Sequence, residues 1–417
     1  MVRPDKVLDS LAGDDPLRAG HSPHGRAGGK AASVIRPTPR AWARTGLLVM
    51  MLGAGPRVAR GEEPRPSWDP GAAVRYLDAR ASWWMGWPAA GRGRGTACVS
   101  CHTTLSYAIA RPALNRLRTR AEEPEASWRL LAGVRSRVEN WAEVASPGSE
   151  GDDPFVPFYG GSRREPALDT EAVLNALVLV VNDPRAGGKL AETTARALDL
   201  MWERQGSSGG WRWLEFGLRP WEKDGEYFGA TLAAIAAGTA GDAHGGSREP
   251  SIVAKASALR NFLRTRLAAD PSLHHRALAL WAGSRLEGAF TDAEKARMVD
   301  ELLGYQRPDG GWSSRDLGKV AGKPQSAGWV IRGAHPDGSV SDAYGTGLVA
   351  LALRRSGVAA AGHGVKEGLK WLSSSQAPDG TWPAVYLNHP QDPRSEVGKF
   401  VRDAGAALAI LALTDPD

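Results

Sequence analysis

The two cysteines of this 417-residue chain stand together with a histidine, in Cys98-Val-Ser-Cys101-His102. Two thiols three positions apart can both reach the vinyl groups of one haem, and the adjacent imidazole then faces the iron as proximal ligand. The motif therefore points to a covalent c-type haem on Cys98, Cys101 and His102. Three other uses of the same atoms stay open. A disulfide needs no histidine, a zinc site needs a fourth ligand from elsewhere, and cysteines that only pack need no spacing. Between His102 and residue 200 there is neither a methionine nor a further histidine, so an ordinary small cytochrome domain has no local sixth ligand. The candidates for that position are Met85, upstream after Trp83-Trp84, and His275 of the pair His274-His275. For Met85 the competing role is core packing, and for the histidine pair it is a surface site at a loop-to-helix junction. An open sixth position is the remaining option and implies ligand chemistry at the iron.

Carboxylates form the second set. Glu226, Asp342 and Asp403 lie near the starts of apolar helical segments, as does Asp169. If those segments run parallel, their N-termini share one end of the molecule, and the haem and the acids are expected to meet at that mouth. Asp342, beside Tyr344 and Gly345, is the expected proton-handling group, because a crowded, dry setting raises a carboxyl pKa. Acids at helix N-termini also serve as caps and match the helix dipole, which explains each of them singly.

The elements that must position these groups are helical. Beyond residue 68 no run of alternating strand residues appears, and twelve helices are predicted in pairs. The first of each pair is amphipathic: 70–84, 125–145, 189–205, 250–267, 291–306 and 365–376. The second is rich in Ala, Gly and Leu: 102–116, 167–181, 224–238, 271–284, 340–356 and 399–413. Segments with so little charge are buried on more than one side. Six outer helices around six inner ones make an all-α (α/α)6 toroid, in which hairpins bury their apolar faces only against neighbours and closure removes the exposed ends.

Repeats support the pairing. Gln205…Gly209-Gly-Trp211, Gln306…Gly310-Gly-Trp312 and Gln376…Gly380-Thr-Trp382 share the pattern Q-x3-G-x-W, each after an outer helix. Inner segments match one another as well, as in Phe228-Gly-Ala-Thr-Leu-Ala-Ala-Ile235 and Tyr344-Gly-Thr-Gly-Leu-Val-Ala-Leu351. These motifs resemble the QW motifs of squalene–hopene cyclases and their prenyltransferase-like toroid relatives. The resemblance covers residues 165–417 well and 68–165 only through the rhythm of helix pairs. It implies an α/α toroid in which Gln and Trp tie adjacent repeats together. It also implies an aromatic cavity that stabilises carbocations, for which Trp211, Trp213, Trp221, Tyr227, Phe228, Trp329 and Tyr344 are available. The acid of those cyclases sits in Asp-x-Asp-Asp, which this chain lacks. The zinc site of the prenyltransferase relatives uses a cysteine, and both cysteines here lie in the C-x-x-C-H motif. The QW motifs point away from polysaccharide-cleaving (α/α) barrels with paired carboxylates.

The net charge of +6 sits in the first 61 residues, which hold ten Lys/Arg against four Asp/Glu, and the remainder is balanced. A nucleic-acid partner is therefore not expected. Arg40 and Arg44 precede the apolar run Gly46–Gly55, too short to span a bilayer but suited to a signal peptide, with Ala59 and Gly61 at a possible cleavage site. The expected organisation is a leader over 1–61, which includes an overcalled start, then a haem-bearing helical segment over 62–164, then toroid repeats over 165–417. The mature chain is expected to be exported, periplasmic or secreted, with no transmembrane span. Two function classes lead: a haem-dependent oxidoreductase acting on an apolar, isoprenoid-like molecule, and an electron-transfer or binding protein with a redox partner. A non-redox terpene cyclase comes third.

Overall fold

The computed structural model describes residues 68–118, 123–146, 153–244, 249–323, 326, 328, 329, 340–387, 392 and 394–415, so the leader lies outside the described residues. Thirteen α-helices run through them: α1 Pro70–Gly86, α2 Thr104–Leu117, α3 Glu125–Glu139, α4 Trp141–Ala145, α5 Arg164–Val181, α6 Glu192–Glu203, α7 Gly225–Ala240, α8 Pro250–Ala269, α9 Leu273–Gly283, α10 Asp292–Leu303, α11 Ala343–Arg355, α12 His363–Ser374 and α13 Phe400–Thr414. The described residues hold two isolated β-bridges and no strand.

The apolar segments are the inner layer. Helices α2, α5, α7, α9, α11 and α13 each pack on the next, and α13 packs back on α2, which closes a ring of six. All residues of α5 from Ala167 to Val180 are buried, as an apolar helix covered on every side must be. Small residues set the spacing. A methyl group on Gly347 would come within 2.9 Å of the Ala409 nitrogen, so α11 and α13 approach as closely as they do only because Gly347 has no side chain. The amphipathic helices α1, α3, α6, α8, α10 and α12 lie outside. Most of them straddle the seam between two inner helices: α1 packs on α13 and α2, α6 on α5 and α7, α12 on α11 and α13. The structure is thus an (α/α)6 toroid.

The three Q-x3-G-x-W turns are ties between outer helices. Each Trp donates its indole N–H back to the outer helix it follows: Trp211 to Met201 O at 2.8 Å, Trp312 to Leu302 O at 2.8 Å, Trp382 to Leu372 O at 2.7 Å. Each Gln reaches forward to the next outer helix: Gln205 Nε2 donates to Lys255 O at 3.0 Å and Gln306 Nε2 to Gly364 O at 2.7 Å. Gln376 closes the outer layer against the first helix. It donates to Asp69 O at 3.0 Å and accepts from Asp69 N at 2.6 Å. The ties are made by hydrogen bonds to main-chain groups.

Several boundaries shift by two or three residues from expectation, and one expected helix is split in two. The outer helix expected over 125–145 breaks at Asn140, which leaves the helical region at φ −106°, ψ 31°. Its amide caps the chain by donating to Ser136 O at 2.8 Å. The first inner helix begins at Thr104, because Cys101–Thr103 form a turn ahead of it.

Candidate functional site

The segment that presents the cysteines is fixed from below. Gly91 pairs with Ala97, and Arg92 N donates to Thr96 O at 2.8 Å, so residues 91–97 fold back as a tight turn. The turn needs Gly93, whose φ is +80° and whose missing Cβ would overlap Pro154 O. Arg137 holds the turn from α3. Its guanidinium donates to Arg92 O at 3.1 Å, to Thr96 Oγ1 at 3.2 Å and to Val156 O at 2.7 Å. The same group pairs with the fully buried Glu171 of α5 at 2.5 and 3.0 Å. Trp84 of α1 donates its indole N–H to Cys98 O at 2.8 Å. Ser100 Oγ accepts from Thr103 N at 3.2 Å and Thr104 N at 3.1 Å, taking up free N–H groups at the start of α2. Both cysteines are half-buried and not joined in a disulfide. Burial pushes both thiols up.

His102 is buried at the centre of an aromatic cage. Phe400 stacks on its ring at 3.6 Å and 19°, Trp84 meets it edge-on at 5.2 Å, and Trp221 lies 5.9 Å away. Burial, with Arg80 nearby, depresses its pKa to about 3, so the imidazole is neutral, the form that binds metals. Nδ1 lies 2.9 Å from Thr103 Oγ1, and Thr103 Oγ1 donates to Asp403 Oδ2 at 2.6 Å. Asp403 also accepts from Tyr76 Oη at 2.7 Å and from Arg80 Nε at 2.8 and 3.0 Å. Arg80 is held in turn by the carboxylate and the carbonyl of Glu396. Among the described residues no hydrogen bond reaches His102 Nε2.

Two cavities meet here. One is bordered by Cys98, Cys101, His102, Phe216, Trp221 and Glu222. The other is the apolar interior of the ring, lined by Leu105, Ile109, Phe228, Leu278, Trp281, Tyr344 and Leu408 among others. Cys101 and Trp221 belong to both walls. Glu222 is the group that sequence reasoning missed. Its Oε2 accepts from Phe216 N at 2.6 Å and Leu218 N at 2.7 Å, and burial nevertheless pushes its carboxyl up to about 8. Nothing in its sequence surroundings separates it from an ordinary surface glutamate, save the neighbouring Trp221. Thr103, Trp84 and Phe400 were likewise not singled out, since their importance arises from contacts with distant parts of the chain.

The expected carboxylates do not share one site. Asp403 lies two hydrogen bonds from His102, but its oxygens are occupied by Arg80, Tyr76 and Thr103, so it supports the ring and does not face the cavity. Asp342 is fully buried and turned into the cap of α11. It accepts from Gly345 N at 3.0 Å, Ser314 Oγ at 2.6 Å and Ser314 N at 2.6 Å, while burial raises its carboxyl to about 6. Glu226 is 45% exposed and points outward, 3.9 Å from Arg266, because Tyr227 and Phe228 take the inward positions of α7. Asp169 pairs with Arg204 and Arg212.

The expected sixth ligands are also accounted for elsewhere. Met85 is buried in the core. His275 packs against Tyr227 at 4.3 Å, with Nδ1 2.7 Å from Asp270 O. His274 lies 3.0 Å from Tyr344 Oη through Nε2, and a file of rings, Trp221 and Tyr344, separates it from His102. Of the named aromatics, Trp221, Phe228 and Tyr344 line the ring interior, whereas Trp211 is a tie and Trp329 packs on His274. Among the described residues no three His, Cys, Asp or Glu side chains converge as a cage for a metal ion. No helix among them is long and apolar enough to cross a membrane.

No protein-family model matches the chain, and no curated protein does. Among solved structures, a wild-type glycosidase aligns at 14% identity and a TM-score of 0.43, over 83% of this chain and 96% of its own. An ent-copalyl diphosphate synthase from Streptomyces platensis aligns at 14% identity and a TM-score of 0.27, over 84% of this chain and 89% of its own.

Proposed function

We propose that the chain carries one covalent haem c on Cys98 and Cys101, with His102 as axial ligand, and that it acts in a redox reaction on an apolar, isoprenoid-like molecule lodged in the ring. The observation that carries this reading is the wall common to the two cavities. Cys101 and Trp221 border both the space beside His102 and the apolar interior. The residues fit the group: two unjoined thiols, a neutral imidazole with Nε2 unpartnered among the described residues, and a largely apolar, aromatic surround.

When bound, a haem supplies one-electron chemistry and, with an open coordination position, ligand activation. The chain's own residues do the rest. Leu105, Ile109, Leu278 and Leu348 offer an apolar wall that binds by excluding water. Trp221 holds the boundary between the two spaces. Glu222, with a carboxyl pKa of about 8, retains a proton at neutral pH beside that boundary. Haem of this kind is attached outside the cytoplasm, so the reading includes export directed by the leader.

The electron-transfer reading is favoured by one specific feature. The rings of His102, Trp221, Tyr344 and His274 follow one another at 5.9, 5.9 and 6.1 Å across the mouth. The test is an optical spectrum of the full chain made with haem-maturation machinery, oxidised and reduced, with and without carbon monoxide. Haem that survives acid–acetone extraction supports attachment. A carbon monoxide shift supports ligand chemistry, and its absence turns the reading to electron transfer. Purified protein without covalent haem overturns both.

A further inference from the structure

We infer that Thr103 and Asp403 form a positioning relay that holds His102 as the Nδ1–H tautomer and aims its bare Nε2 away from the relay. The inference gives a purpose to the haem reading above, but its geometry does not depend on it.

The argument counts hydrogens. Asp403 is fully buried, and the one neighbour that can only donate, the Arg80 guanidinium, reaches both of its oxygens, at 2.8 and 3.0 Å. That pairing belongs to the carboxylate, so the hydroxyls of Tyr76 at 2.7 Å and Thr103 at 2.6 Å donate to it. Thr103 has a single hydroxyl hydrogen, and the carboxylate takes it. The Thr103 oxygen can then only accept from His102 Nδ1 at 2.9 Å, which places the ring hydrogen on Nδ1. A neutral imidazole has one ring hydrogen, so Nε2 is left with its lone pair. Phe400, stacked at 3.6 Å, fixes the plane in which that lone pair points.

The relay also explains an assembly. Its members come from α1 (Tyr76, Arg80), from the turn before α2 (His102, Thr103) and from α13 (Phe400, Asp403). These are the first and last parts of the ring, so His102 is set only once the ring is closed. A hydrogen-bonded partner on the far nitrogen orients a ligating histidine and makes it a stronger donor. The anion behind the relay would stabilise the more positive state of an iron held by His102.

The test begins with the haem-free full chain, made without maturation machinery and labelled with nitrogen-15 histidine. Its His102 should show Nδ1 protonated and Nε2 bare at neutral pH. A predominant Nε2–H tautomer overturns the relay. T103V should lose the preference and T103S should keep it, at matched melting temperature. If T103V does not fold, the parent spectrum alone decides. In the haem-loaded full chain, T103V should raise the reduction potential relative to the parent while T103S stays near it. Equal potentials in all three overturn the relay's role toward the iron. A chain that never takes up haem overturns the cofactor reading instead, and the nitrogen spectrum still judges the relay.

Discussion

Closing the ring leaves one contact where a single methyl group separates two kinds of strain. Gly380, in the last Q-x3-G-x-W turn, has φ +84°, and a Cβ there would lie 2.2 Å from Ala72 O of α1. Gly357 has almost the same backbone, φ +88°, with nothing within 4 Å of an added Cβ. Both Gly→Ala changes force an L-residue into the left-handed region, at about 1–2 kcal/mol, less about 0.4–1 kcal/mol recovered from the unfolded chain. Only Gly380→Ala adds an overlap with main chain, and overpacking of that kind costs about 1–3 kcal/mol more. Gly357→Ala should therefore lose about 1 kcal/mol and Gly380→Ala about 2–4 kcal/mol. The larger change also bears on the site. Pushing α1 outward slackens the two bonds between Gln376 and Asp69, and α1 carries Tyr76, Arg80 and Trp84. Urea unfolding followed by tryptophan fluorescence measures the two losses, and the environment of His102 is read by nitrogen-15 NMR. Equal losses in the two variants, with an unchanged His102 signal, would refute both the close approach and its link to the site.

Three further outcomes follow from the same geometry. Burial holds His274 neutral in the fold, its pKa well below 6.5, while the unfolded chain protonates near 6.5. The stability it allows is complete above that pH and falls as pH drops, by about 1.4 kcal/mol per pH unit for one proton. In titrations of unfolding free energy, His274→Phe should flatten the slope below pH 6.5 by one proton, and an unchanged slope would show His274 already charged in the fold. Asp342→Ala orphans Ser314 N, Ser314 Oγ and Gly345 N, so it should cost about 1–3 kcal/mol in urea unfolding while leaving the absorption spectrum of haem-loaded protein unaltered. A changed spectrum at full stability would return Asp342 to the site. Arg137→Met strands the buried Glu171 and should cost about 3–5 kcal/mol, with faster amide exchange over residues 92–98. A loss under about 1 kcal/mol would show the pair to be dispensable.

The fold was legible because its signals are local. Helices, their pairing and the inner or outer assignment follow from periodicity and from runs such as Leu232-Ala-Ala-Ile235, and the Q-x3-G-x-W turns recur after α6, α10 and α12. The site was legible only where its residues are adjacent in sequence. Cys98, Cys101 and His102 declare themselves, but Asp403 is 300 residues from Thr103 and 323 from Arg80. Its partners depend on ring closure, which spacing cannot reveal. Treating Glu226, Asp342 and Asp403 as equivalent failed for a related reason. Equivalent positions in a repeat share a backbone place, but each side chain turns to whatever its own surroundings offer: Arg266 outside for Glu226, the Ser314 turn for Asp342, the Arg80 cluster for Asp403.

That dispersal sets the electrostatics of the mouth. Asp169, Asp224, Asp342 and Asp403 stand near the starts of α5, α7, α11 and α13, where the helix dipole favours them. Each is spent on a neighbour: Asp169 on Arg204 and Arg212, Asp224 on Arg266, Asp342 on Ser314, Asp403 on Arg80. Glu222, by contrast, borders the cavity beside His102, and with its pKa near 8 it is mostly uncharged at neutral pH. His102 is uncharged as well. A space walled by neutral acid, neutral imidazole and aromatic rings imposes little penalty on an apolar occupant and a large one on a charge, since burying an unpaired ion costs several kcal/mol. The same argument ranks ligands without reference to any cofactor. Uncharged hydrocarbon-like molecules should quench the fluorescence of Trp221 and Trp281 at lower concentration than their carboxylated counterparts of equal length. The difference should widen as pH rises past 8 and Glu222 ionises. Equal affinity for the two series across that pH range would mean that the mouth is wet and that the apolar interior does not select what enters.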